Sequence, residues 1–172
     1  MSRPAAQLID MTEIIAYDPQ HRAALLDLAM RAWEPIFPAL EADVPAFVYR
    51  AFYPNGWRER QLDDLGKVLD SESAGIDVAI DDGRPVGWVC TRLHPEDRMS
   101  EIYVLVVDPD CHRRGIGTAL MERSFARARV AGMTMVMVET GDDDGHAAAR
   151  SAYESTGFER WPVARYFKDL SR

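Results

Sequence analysis

The stretch VVDPDCHRRGIGTALM, Val106 to Met121, carries the reading of the whole chain. An apolar run ends at Asp108 and Pro109, and proline, which lacks an N–H, cannot continue the interior of a sheet. Cys111, His112, Arg113 and Arg114 then lead to Gly115 and Gly117. From Arg114 to Ala131, Gly117, Met121, Phe125 and Ala128 fall at three- and four-residue steps, which predicts a helix. In a strand–loop–helix unit the first N–H groups of the helix lack internal partners, and the helix dipole adds positive potential there. Glycines let a ligand come close to the backbone. Arg113 and Arg114 add charge and Thr118 adds a hydroxyl, so the stretch predicts an anion site suited to a diphosphate.

Upstream, Met11 to Ala16 reads as a short strand after a loose tail over residues 1–10. Asp18 and Pro19 open a helix to about Trp33 with Leu25, Leu28 and Ala29 on one face. Pro35, Pro38 and Pro45 break up an aromatic-rich stretch, YPNGW at Tyr53 to Trp57 is a turn, and Trp57 to Leu69 is helical. Ile76–Ile80 and Val86–Leu93 read as strands joined by the hairpin turn DDGRP, and Glu101–Val107 is a third. Downstream, Gly132 caps the helix, Met133–Glu139 is an apolar strand, and a short helix opened by Asp143 or Asp144 runs through Ser155 to Gly157. Phe158–Val163 and Ala164–Lys168 are two more strand candidates. The order β α α β β β α β α β β predicts one mixed α/β domain over residues 1–172.

The 172 residues suffice for one domain with a real core, and 47% hydrophobic residues is ordinary for a globular protein. A formal net charge of −8 argues against general nucleic-acid binding and favours cationic small molecules. Cys90 and Cys111 have no metal-ligand spacing and read as free thiols in a reducing compartment, hence a cytoplasmic protein. No apolar run is long enough to span a bilayer, and MSRPAAQLIDMTEII has no apolar core of a secretory signal. No metal is expected: His21, His94 and His112 form no ligand cluster, and the Asp142–Asp144 run before Gly145 lacks the later ligands of a calcium loop.

Three phosphate sites compete for the glycine stretch. A Walker loop needs Gly-Lys-Ser/Thr, which is missing, and a dinucleotide fingerprint needs a third glycine and a tighter turn. The third is coenzyme A. The stretch resembles the acyl-CoA signature of the GNAT superfamily of N-acyltransferases, Gln/Arg-x-x-Gly-x-Gly/Ala, with His112, Arg113, Arg114, Gly115, Ile116 and Gly117 in register and His112 departing from Gln or Arg. HAAARSAYESTGF, His146 to Phe158, resembles the later segment Asn-x-x-Ala-x-x-x-Tyr-x-x-x-Gly-Phe, with Ala149, Tyr153, Gly157 and Phe158 in register and His146 in place of Asn.

The resemblance implies a central, mostly antiparallel sheet of about seven strands flanked by about four helices, splayed at the CoA site. It implies that the main chain of Leu105, Val106 and Val107 pairs with the pantetheine arm. It places the diphosphate against Arg113 to Thr118 and Tyr153 near the thioester sulfur. His146 either bonds the cosubstrate or caps its helix.

Acyl transfer to an amine requires removal of a proton from the amine, polarisation of the thioester carbonyl and protonation of the leaving thiolate. Tyr153 suits the last task, because its pKa is near that of a thiol. A backbone N–H such as that of Leu105 suits the second. Glu101 and Glu139, at opposite ends of successive strands, are about equal candidates for the base. The resulting expectation is an N-acetyltransferase that moves an acetyl group from acetyl-CoA directly to a primary amine of a small cationic molecule. A protein N-terminus or lysine as acceptor, and a non-catalytic acyl-CoA-binding regulatory module, are the alternatives. The C-terminal strand candidates leave a homodimer as an option.

Overall fold

The computed structural model describes residues 12–171, so the tail expected over residues 1–10 lies outside it. Five strands form one sheet in the order β1-β2-β3-β4-β5: Glu13–Ala16, Ile76–Asp81, Arg84–His94, Met99–Val107 and Met135–Val138. The first four are antiparallel, and β5 runs parallel to β4. Six α-helices accompany them: α1 Arg22–Trp33, α2 Ile36–Asp43, α3 Ala46–Phe52, α4 Trp57–Ser71, α5 Ile116–Val130 and α6 Ala147–Ser155. The fold class is the expected one, with five strands rather than about seven among the described residues and six helices rather than about four.

Each sheet face has its own core. On one side Leu25, Leu28 and Ala29 of α1, the face read from the sequence, pack with Leu65, Val68 and Leu69 of α4 against Ile76, Val78, Trp88, Cys90, Val104 and Val106. On the other side Ile116, Leu120 and Met121 of α5 cover Ala79, Val86, Val89 and Ile102. Full burial of a side chain such as Leu25 or Leu120 contributes about 1.5–3 kcal/mol. The close approach of α5 depends on Gly87: a Cβ there would lie 2.9 Å from the carbonyl oxygen of Val106 and 3.0 Å from Leu120 Cδ1. Arg123 and Arg127 of α5 hold the fully buried carboxylate of Asp77 on β2 at 3.1 and 2.7 Å, which fixes the helix along the sheet.

The α5 core leads into the two predicted glycine stops. Gly132 after α5 and Gly157 after α6 both have left-handed φ, and Met133 and Phe158 donate back to the carbonyls of Ala128 and Tyr153. The hairpin turn at Asp82 and Gly83 also forms, with φ of 48° and 72°. Two features differ from the expected order. The proline-rich stretch is broken at Pro35 and Pro45 as expected, but the pieces are the short helices α2 and α3: Pro35 and Pro45 are their N-caps and Pro38 lies in the first turn of α2, positions where a helix has no use for the missing N–H. Phe158–Val163 and Ala164–Lys168 are not strands. Pro162 removes a donor from the first run, and Trp161, Val163 and Tyr166 stay 85%, 78% and 90% exposed with no sheet face to cover. Among the described residues no helix is long and apolar enough to cross a membrane.

Candidate active site

Two irregularities of β4 shape the site. Its pairing with β3 shifts register between Cys90 and Thr91, so Ile102 faces Thr91, Val104 faces Cys90, and Tyr103 is the extra residue of a bulge. The bulge lets Ile102 lie in the α5 core while Val104, two residues on, lies in the α1–α4 core. Pairing with β5 stops at Ile102–Val138. From Tyr103 to Val107 the β5 side of β4 therefore carries no paired strand among the described residues. Leu105 and Val107, half-buried, and Val106, buried, lie along this opening.

The opening leads to the glycine loop. Asp108 ends β4, is fully buried, and accepts two hydrogen bonds from Arg31 of α1, at 3.2 and 3.0 Å, and one from the Asp110 N–H at 3.0 Å. The Arg31 hydrogen bond holds its carboxyl below the usual carboxylate range, against the opposing effect of burial. Pro109–Cys111 form a 3-10 turn, and His112 and Arg113 are exposed, Arg113 at φ 63°. Arg114 turns away and binds Asp81 at the β2–β3 hairpin, 2.9 Å, so its charge braces the loop. Gly115 is the N-cap of α5 at φ 79°, a conformation that costs other residues about 1–2 kcal/mol. A Cβ on it would meet nothing within 4 Å. No side chain caps the helix, and Ala119 makes the first main-chain bond, to the Gly115 carbonyl. The N–H groups of Ile116, Gly117 and Thr118 are thus a donor set suited to a diphosphate. Ile116 is buried and anchors the turn, whereas Thr118 is exposed.

Tyr153 of α6 is half-buried in the α5-side core, edge-on to Phe158 at 5.8 Å. Burial alone pushes its phenol pKa up, so the group keeps its proton at neutral pH. His146 precedes α6, and its Nδ1 lies 2.7 Å from Asp143 Oδ2, so the ring is oriented by that carboxylate. It makes no side-chain cap bond to the helix. Ala149 is half-buried one turn on, a small residue on the half-buried face of α6 with His146 and Tyr153.

The two candidate bases differ. Glu101 is the third residue of β4, with its side chain 17% exposed and 2.9 Å from His94 Nε2. It lies one residue before pairing with β5 ends. Glu139 has left the strand, is 70% exposed and binds Arg165 at 2.8 Å. Several contributors carry no sequence signal: Arg31, Asp81, the Tyr103 bulge, and Arg92, which binds Glu72 at 2.6 and 2.7 Å and lies over the Tyr103 ring. The ion pairs Arg31–Asp108, Asp81–Arg114 and Arg92–Glu72 join residues 20 or more positions apart, so no local motif marks them, although a break in the strict alternation of β4 is visible in EIYVLVV. Phe37, stacked on Trp57 at 4.7 Å with Tyr53 edge-on at 5.5 Å, forms an aromatic wall beside α1. The cavity lined by Phe125, Met133, Met135, Val136 and Phe158 lies at the opposite end of β5 from the opening.

The family profile described as acetyltransferase (GNAT) family matches residues 20–158, spanning the opening, the glycine loop and α6. The chain belongs to the GNAT family. A mycothiol acetyltransferase of Thermomonospora curvata is 36% identical over 92 residues, 54% of this chain and 30% of that protein. The chain spans about a third of the length of such curated relatives. The PaiA N-acetyltransferase of Thermoplasma acidophilum, solved with coenzyme A, superposes with a TM-score of 0.64 at 14% identity over 89% of this chain and 92% of that one. The ribosomal-protein-S18-alanine N-acetyltransferase of Escherichia coli gives 0.63 at 19% identity over 94% and 86%. At these identities the two structures speak for the GNAT fold.

Proposed function

We propose that this GNAT chain transfers an acetyl group from acetyl-CoA directly to a primary amine of a small cationic molecule. The observation that carries the reading is the opening of β4 from β5, with Glu101 beside its start and the free N–H groups of α5 at its far end. Those N–H groups bind the diphosphate, and the main chain of Leu105 to Val107 pairs with the pantetheine arm as an added strand does. The Leu105 N–H polarises the thioester carbonyl. Glu101 takes the proton of the attacking amine, since Glu139 is already held by Arg165. The half-buried phenol of Tyr153, on the other sheet face, gives its proton to the leaving thiolate. The net charge of −8 and the aromatic wall of Phe37, Tyr53 and Trp57 favour a cationic acceptor.

The test is thiol release from acetyl-CoA with spermidine, neamine and an alanine-terminated peptide, alongside calorimetry with CoA. Tyr153→Phe is expected to slow turnover about ten- to a thousand-fold while CoA still binds. Undiminished turnover of the best acceptor removes Tyr153 as the acid. Turnover with the peptide alone replaces the small amine by a protein acceptor, and CoA binding without any turnover favours a non-catalytic module.

A further inference from the structure

Glu101 has one hydrogen-bonded neighbour among the described residues that the chemistry above does not use. His94 ends β3, just before the 3-10 turn Pro95–Asp97 that leads into β4. The register sets Arg92 opposite Glu101 and His94 opposite Met99, so His94 is the diagonal neighbour of Glu101 on the same sheet face. Its Nε2 lies 2.9 Å from Glu101 Oε2, and its Nδ1 points toward Glu96, 3.9 Å away and 71% exposed. Arg92, the residue opposite Glu101, directs its Nε and Nη2 to Glu72 instead. A carboxylate oxygen only accepts, so the short contact calls for a hydrogen on Nε2.

We infer that His94 is a positioning residue for the base: its Nε2–H holds Oε2 of Glu101 and leaves Oε1 to face the acceptor amine. The inference rests on the assignment of Glu101 above. The pair is half-buried, and the main-chain pairing of Glu101 with Arg92 and Met137 fixes its backbone but not its side chain. A glutamate has three side-chain torsions, and the imidazole restrains them from a rigid strand end. A misplaced base costs up to about a hundredfold in rate.

Nitrogen NMR of the folded protein is expected to show His94 in the Nε2–H tautomer, with that preference lost in Glu101→Ala, which removes the acceptor. In turnover with spermidine, and in acetyl-CoA hydrolysis without amine, His94→Ala is expected to lower kcat about ten- to a hundredfold with KM changed less than about threefold. His94→Gln, whose amide also donates, restores most of it. In a Glu101→Gln background His94→Ala adds no further loss. An Nδ1–H tautomer, an undiminished kcat in His94→Ala, or additive losses in the double variant overturn the inference and leave the base assignment standing. Full activity of Glu101→Gln overturns both.

Discussion

Replacing Arg31 by Met removes the guanidinium that holds Asp108 while keeping most of the side-chain volume. Asp108 is fully buried, and the loss leaves the Asp110 N–H as its hydrogen-bond donor among the described residues. Breaking a buried pair by removing one partner costs about 3–5 kcal/mol. The low end, about 3 kcal/mol, applies here, because the Arg31 side is 42% exposed and water can enter in its place. The accompanying contacts of Arg31 to Asp27 and Asp110 are exposed and contribute little. In a domain of this size the expected fall in Tm is about 6–12 °C. The sign with pH follows from the lowered folded pKa of Asp108. Its contribution is present above the unfolded carboxyl value, about 3.9, and is lost as pH falls through the folded value. In the variant, burial faces weaker opposition, so the gap between the two proteins is widest near pH 7 and narrows below about pH 4. Urea denaturation at both pH values reads it as a shift in midpoint at constant slope. Because Asp108 joins β4 to the glycine loop, CoA affinity falls with it. A gap under about 1 kcal/mol at pH 7, or one that widens in acid, refutes the account.

Gly115→Ala is expected to cost about 1–2 kcal/mol through its left-handed φ, whereas Gly117→Ala, whose Cβ would meet Val107 Cγ2 at an ordinary 3.6 Å, holds or gains stability; thermal melts of the two compare them directly. Thr91→Val leaves the buried Ser124 hydroxyl without its 2.9 Å partner and costs about 1–3 kcal/mol, and adding Ser124→Ala recovers part of that in chemical denaturation. Cys90 is buried, and burial, seconded by Glu72, pushes its thiol up to about 12, so iodoacetamide at pH 8 labels it only once the protein is unfolded; mass spectrometry of native and denatured samples checks this.

Elements built from local contacts were legible. The face of α1 at Leu25, Leu28 and Ala29, the Asp82–Gly83 hairpin and the stops at Gly132 and Gly157 each depend on residues within a few positions of one another. The prolines of residues 35–45 marked the breaks but hid α2 and α3, because proline forbids a helix interior but not its first turn, and only the tertiary setting shows where the first turn falls. The C-terminal apolar runs misled because strand propensity acts through packing against neighbours, and Trp161, Val163 and Tyr166 stay exposed. In the site, the glycine loop and the Tyr153 segment were readable as motifs. The choice between Glu101 and Glu139 was not: both are strand-end glutamates in sequence, and their difference is set by His94 on the adjacent strand and by Arg165.

The sequence by itself determined that a strand, a glycine loop and an amphipathic helix follow one another around Gly115, because helix starts, turns and periodicity are written in adjacent residues. Only the tertiary structure decided where β4 leaves β5, which arginine braces the loop and which anchors the strand end, and which glutamate stays half-buried. Those outcomes depend on residues far apart in the chain meeting across a sheet, where register, burial and charge pairing are settled together.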